Sequence, residues 1–182
     1  MSEDSLRAWY RDSIEEHPEE LHQTDPPEFL TQEEVFVKTG VTYWREEKYN
    51  DEERLKELKE EGGYKSSDFL EIRGEVGTEN MERMSYKEHL HEDSEIRMVT
   101  AGSIFFEVRS CDGRWIRLHL REGDLINLPP GIYHRGALDK GDYCKLYRLF
   151  LDISEWKAFY PPEADTLPVR IQYQKEMGFL AS

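Results

Sequence analysis

The chain has 182 residues and a formal net charge of −15, with 24 basic against 39 acidic side chains. That balance argues against nucleic acid or an anionic membrane surface as a partner, and no apolar run approaches the length needed to span a bilayer. The length fits one structural domain with an accessory segment, enough to bury a sizeable core.

The acidity is uneven. Residues 1–34 hold eleven acids and two bases, net −9, whereas residues 85–153 hold eleven acids and ten bases, net −1. The surplus is therefore read as a solvated N-terminal face. Met1-Ser2-Glu3-Asp4-Ser5 is acidic and lacks an apolar core, so no signal peptide is expected. Cys111 and Cys144 form no CxxC motif and are read as reduced thiols of a soluble cytoplasmic protein.

In chain order, Leu6-Arg7-Ala8-Trp9-Tyr10 is an apolar-aromatic island predicted to pack on the domain, and Asp25-Pro26-Pro27 marks a break. Thr31, with Glu34 three residues on, predicts a capping box whose helix stops by Gly40. Gly40 to Arg45 reads as a β-branched and aromatic strand. Asn50 or Asp51 caps a charged helix over residues 52–61, ended by Gly62-Gly63. Residues 67–72 are expected to form one more short helix. The segment 1–84 thus reads as a decoration of helices and strand without catalytic content, and 85–178 as the functional barrel.

From about Tyr86 short strands dominate. Residues 103–109 and 115–120 flank Asp112-Gly113, a hairpin signal. Residues 125–128, 145–151 and 169–173 supply further strands, with a helical turn expected over 154–159. Regular short strands with Gly/Pro turns predict a mainly β sandwich or barrel.

The chemistry concentrates in Lys87-Glu88-His89-Leu90-His91-Glu92-Asp93-Ser94-Glu95-Ile96-Arg97. On a strand, His89 and His91 leave the same face. Glu95 follows a charged three-residue gap that predicts a turn, and His134 lies downstream in Leu128-Pro129-Pro130-Gly131-Ile132-Tyr133-His134. An H-x-H pair alone is more often a packing feature. Here His89-x-His91-x3-Glu95-x6-Gly102 fits the first cupin motif, with Arg83 at its leading glycine position. Gly123-x5-Pro129-x-Gly131-x2-His134 fits the second, with Leu138 at its final Asn. Three imidazoles and one carboxylate leave two open positions on a six-coordinate ion, which suits iron(II), nickel(II), manganese(II) or copper(II) and invites a bidentate enediolate. His17, His22 and His119 match neither motif and are read as surface histidines.

With those residues in view, the sequence resembles the acireductone dioxygenase family. The likeness is carried by Glu88-His89-Leu90-His91, Glu95-Ile96-Arg97, Gly123-Asp124 and Leu128 to Arg135, and it runs from about residue 7 to 175. The resemblance implies a cupin fold (a double-stranded β-helix or jelly-roll barrel) with short N-terminal helices packed outside. It implies His89, His91, Glu95 and His134 as ligands of one Fe(2+) or Ni(2+) per chain. It implies Glu95 and Arg97 as catalytic residues, Arg97 balancing a bound enediolate. The reaction implied is cleavage of 1,2-dihydroxy-5-(methylthio)pent-1-en-3-one by O2. With iron it yields 4-methylthio-2-oxobutanoate and formate, in methionine salvage. With nickel it yields 3-methylthiopropanoate, formate and carbon monoxide. A monomer, cytoplasmic and also nuclear, is the expected form. Gly136 and Ser85 stand where the family usually carries aromatic residues, so the alternative is an inactive or altered-specificity paralogue that keeps the metal.

Overall fold

The computed structural model describes residues 5–74, 86–151 and 157–179. From the N-terminus come β1 (Arg7–Tyr10), β2 (Phe29–Leu30), α1 (Gln32–Thr39), β3 (Thr42–Arg45), α2 (Glu52–Glu61) and β4 (Ser66–Arg73). Then follow β5 (Glu95–Arg109), β6 (Trp115–Arg121), β7 (Asp124–Leu128), β8 (His134–Leu138) and β9 (Tyr143–Phe150). A 3-10 turn at Glu163–Thr166 and α3 (Pro168–Glu176) close the described chain.

Strand β5 is shared by two sheet halves. Its first part pairs with β7 and β9, and its second with β6 and β8, all antiparallel. β3 extends one half beyond β7 and β4 extends it beyond β9, while β1 and β2 extend the other beyond β6. The result is the mainly β, curled double sheet of a cupin, with α1 and α2 outside it. Between the halves lies an apolar core that includes Ile104, Phe106, Leu118, Leu120, Ile126 and Leu146.

The strand crosses between halves at a register shift between Val99 and Ala101, next to Gly102 at φ 73°. A Cβ at Gly102 would lie 2.1 Å from the Tyr143 carbonyl oxygen, so both the left-handed backbone and the close approach require glycine. Gly102→Ala is expected to cost about 2–3 kcal/mol, read as a lowered denaturation midpoint at unchanged slope.

Local capping fits the expectations. Thr31 and Glu34 close a reciprocal capping box, Gly40 ends α1 in the left-handed region, and Asp51 accepts from the Glu53 and Arg54 amides at the start of α2. Two expected elements are corrected. Residues 67–72 are strand, not helix: β4 pairs along its eight residues with β9, and Leu70 and Ile72 turn inward while Phe69 and Glu71 turn out. That is a period of two, which a short apolar run does not separate from helix by itself. Residues 169–173 are helix, not strand, because Pro168 opens α3 and Arg170 and Tyr173, three apart, share its buried face. Of the turn expected at 154–159, residues 154–156 lie outside the described residues, and Phe159 forms a bridge with Leu90.

The outer face of the β1–β6–β5–β8 half is not left to solvent. Glu107 gathers three buried arginines: Oε1 lies 2.6 Å from Arg11 Nε and 2.5 Å from Arg117 Nη2, and Oε2 lies 2.5 Å from Arg135 Nε. The surface expectation for two histidines is corrected here. His22 is buried, with its ring nitrogens 3.0 Å from Asp12 Oδ1 and 2.8 Å from the His17 carbonyl. His119 lies half-buried against Phe105, with Nε2 2.7 Å from Asp139 Oδ2. His17 is exposed.

Burial would raise Asp139, but hydrogen bonds from His119, Ser103 and the Gly141 amide hold its carboxyl down at about 2. A carboxyl depressed in the folded state stabilises above its unfolded pKa, near 3.8, and loses that contribution as pH falls through about 2. Asp139→Asn should therefore lower stability by about 2 kcal/mol at pH 7, and the gap to the parent should close between pH 4 and 2. Urea titrations across that range check it.

Candidate metal centre

The two motif segments are stitched together by backbone. His89 and His134 sit opposite one another, the His89 amide donating to the His134 carbonyl at 3.1 Å and the His134 amide to the His89 carbonyl at 2.9 Å. Directly opposed residues of such a pair place their side chains side by side. The Gly131 amide donates to the His91 carbonyl at 2.9 Å, tying the Pro-x-Gly turn to the second histidine. Gly131, at φ 80°, also lies so close to α3 that a Cβ would stand 2.6 Å from the Val169 carbonyl oxygen. Glu95 opens β5 opposite Leu128. His89 therefore reaches the site from an isolated bridge, with His91 just past the next one at Leu90, and not from a continuous strand.

All four side chains are buried, and one ligand atom from each lies within 4.8 Å of the others. His134 Nε2 is 2.9 Å and His91 Nε2 3.3 Å from Glu95 Oε2. The opposite nitrogen of every ring meets a backbone carbonyl: Lys87 for His89 at 2.8 Å, Lys157 for His91 at 2.5 Å, and Ile132 for His134 at 3.0 Å. A carbonyl only accepts, so each Nδ1 carries its proton and each Nε2 is directed at the centre. Burial, with His134 beside it, pushes His89 down to about 3, so this ring stays neutral and able to bind metal. Burial alone would raise Glu95, but Arg97 and His134 outweigh it and hold its carboxyl well below the usual range. Three neutral nitrogens and one ionised oxygen, with backbone carbonyls holding the rings, fit a divalent transition ion.

Arg97 is fully buried beside the group, its Nε 3.2 Å from Glu95 Oε1 and its Nη1 donating to the Ile96 carbonyl at 2.9 Å. All five residues singled out from the sequence thus come together. They form one end of a cavity of about 290 Å³. Sequence reasoning missed most of its wall. Leu70 and Ile72 come from β4, in the segment expected to carry no catalytic content, and Ile104, Phe106, Leu146, Arg148 and Ala158 complete it with Gly136. Alternation along β5 and β9 marks the inward faces, whereas nothing local in β4 says which strand it joins. Ser85 and Arg83 lie outside the described residues.

The model of the ARD/ARD' family matches residues 7–158. An acireductone dioxygenase of Ixodes scapularis is 40% identical over 173 residues, covering 92% of this chain and 94% of the relative. Acireductone dioxygenase 2 of Vitis vinifera is 40% identical over 180 residues, covering 97% and 89%. Among solved structures, an acireductone dioxygenase from Bacillus anthracis with a cadmium ion in its active centre superposes at a TM-score of 0.62 with 21% identity, covering 86% of this chain and 99% of its own. That likeness speaks for the fold. A match of this extent, together with relatives at this identity along nearly their whole length, settles the family: the chain belongs to the ARD/ARD' family, that of the acireductone dioxygenases.

Proposed function

We propose that the chain is a metal-dependent dioxygenase that cleaves 1,2-dihydroxy-5-(methylthio)pent-1-en-3-one with O2, with His89, His91, Glu95 and His134 holding one ion. The observation that carries this reading is the buried set of three directed Nε2 atoms and one carboxylate at the end of a cavity, with Arg97 against it. When bound, an iron(II) or nickel(II) ion supplies Lewis acidity and a template for the substrate oxygens. Arg97 balances the charge of the ionised enediol, and Glu95 fixes the guanidinium in place for that contact. The apolar wall formed by Leu70, Ile72, Ile104, Phe106 and Leu146 takes the methylthio tail and keeps water from the reacting carbons. With iron the products are 4-methylthio-2-oxobutanoate and formate. With nickel they are 3-methylthiopropanoate, formate and carbon monoxide.

Iron-loaded protein mixed with anaerobically prepared acireductone should consume oxygen and release formate on admission of air. Turnover no faster than the uncatalysed background, at full metal occupancy, overturns the reading. A second reading, a metal-binding paralogue with altered or lost activity, is favoured by one observation: Gly136 leaves the cavity wall bare two residues from His134. It expects metal retention without turnover of the methylthio substrate.

A further inference from the structure

Gly136 stands in the middle of β8, two residues beyond His134, so it faces the same interior as that ligand. Glycine inside a strand lowers stability and has three usual reasons: a bulge, a backbone that needs the left-handed region, or close approach by another group. The first two do not apply. The pairing of β8 with β5 runs without a shift from His134↔Val108 through Gly136↔Phe106 to Leu138↔Ile104, and β8 is extended throughout. Close approach remains, and on this face Gly136 borders the cavity.

The depth of that cavity is ordered by strand pairing. Arg97 pairs with Arg148, and Arg148 with Asp68, forming the polar level nearest Glu95. Two residues deeper along β9, Leu146 pairs with Leu70, and beyond them Ile72 and Ile104 continue the apolar wall. Gly136 and Phe106 face this transition from polar to apolar lining. A substrate with its enediol at the Glu95 end passes its tail across Gly136, where β8 itself contributes no side chain to the lining.

We propose that Gly136 is a specificity-determining residue, and that the chain accepts acireductones whose tail is bulkier than methylthioethyl, an aryl-alkyl tail being the test case. This rests on the acireductone reading above and narrows it to a substrate class.

The test uses three acireductones, with methylthioethyl, n-pentyl and 2-phenylethyl tails. Binding is followed by the enediol absorbance on nickel-loaded protein under argon, and turnover by oxygen uptake on iron-loaded protein. In the parent chain the phenylethyl compound should bind and react within about threefold of the methylthioethyl compound. Gly136→Phe should lower the phenylethyl-to-methylthioethyl ratio by about 30-fold or more, with Gly136→Ala between, the size expected when a pocket gains or loses a few methylene equivalents. Circular dichroism and metal content establish that each variant is folded and loaded, and the parent's own ratio decides the matter should the Phe variant fail to fold. A parent that handles the methylthioethyl compound but rejects the phenylethyl one by tenfold or more overturns this inference alone. So does a ratio unmoved in a folded, loaded Gly136→Phe. If none of the three compounds binds or reacts with fully loaded protein, the acireductone reading falls, and this inference with it.

Discussion

Replacing His134 by alanine is expected to lower metal affinity at least 100-fold and to abolish turnover. Removing even a residue that only orients a ligand commonly costs 10- to 100-fold, and His134 is itself one of four donors. The loss should exceed that of an ordinary ligand deletion, because the ring also lies 2.9 Å from Glu95 Oε2 and 4.4 Å, centroid to centroid, from His89. Without it the Glu95 carboxylate keeps its burial but loses one of the three groups, Arg97, His134 and His91, that hold it ionised. The backbone pairing of positions 89 and 134 does not depend on the side chain, so the fold should survive. Metal analysis after dialysis, beside circular dichroism, checks both halves of the expectation. A His134→Ala protein that retained stoichiometric ion and activity would refute the metal centre as drawn.

Arg97→Met is the second large effect. Arg97 and Glu95 form a fully buried ion pair, and removing one member of such a pair costs about 3–5 kcal/mol because the survivor is left uncompensated. The Glu95 pKa should rise, since the guanidinium is the leading influence opposing its burial. If Arg97 also balances the enediolate, kcat/KM should fall about 100- to 1,000-fold while the ion is retained at neutral pH. Arg97→Lys separates the two roles. It keeps a cation but not the planar fork, and should recover stability more fully than turnover. A stability loss with kcat/KM intact in Arg97→Met would leave Arg97 a structural residue only.

The ligand set was legible because each motif carries its own geometry: His89 and His91 two apart, Glu95 past a turn, and a Pro-x-Gly turn ahead of His134. Helices α1 and α2 were legible for the same reason, since Thr31, Glu34, Gly40 and Asp51 act on amides within a few residues of themselves. The apolar run in β4 held no such local instruction. Eight of its residues pair with β9, some 75 residues away in the chain, and that pairing overrides any local leaning toward helix. Residues 169–173 were misread because a β-branched run looks like strand until Pro168 and the burial of Arg170 and Tyr173 set a helical period.

By itself, then, the amino-acid order determined the donor groups, the metal class and the mainly β architecture, because spacing of two along a strand and capping over three residues are local relations. Tertiary structure alone decided three things: that His22 and the Glu107 arginine cluster are buried and His119 half-buried, that β4 supplies part of the cavity's wall, and that Gly136 borders the space beside the ligands. The reason is physical. Which face of a strand meets solvent, and what fills a barrel, depend on partners distant in the chain, and no residue encodes its partner's identity in its own side chain.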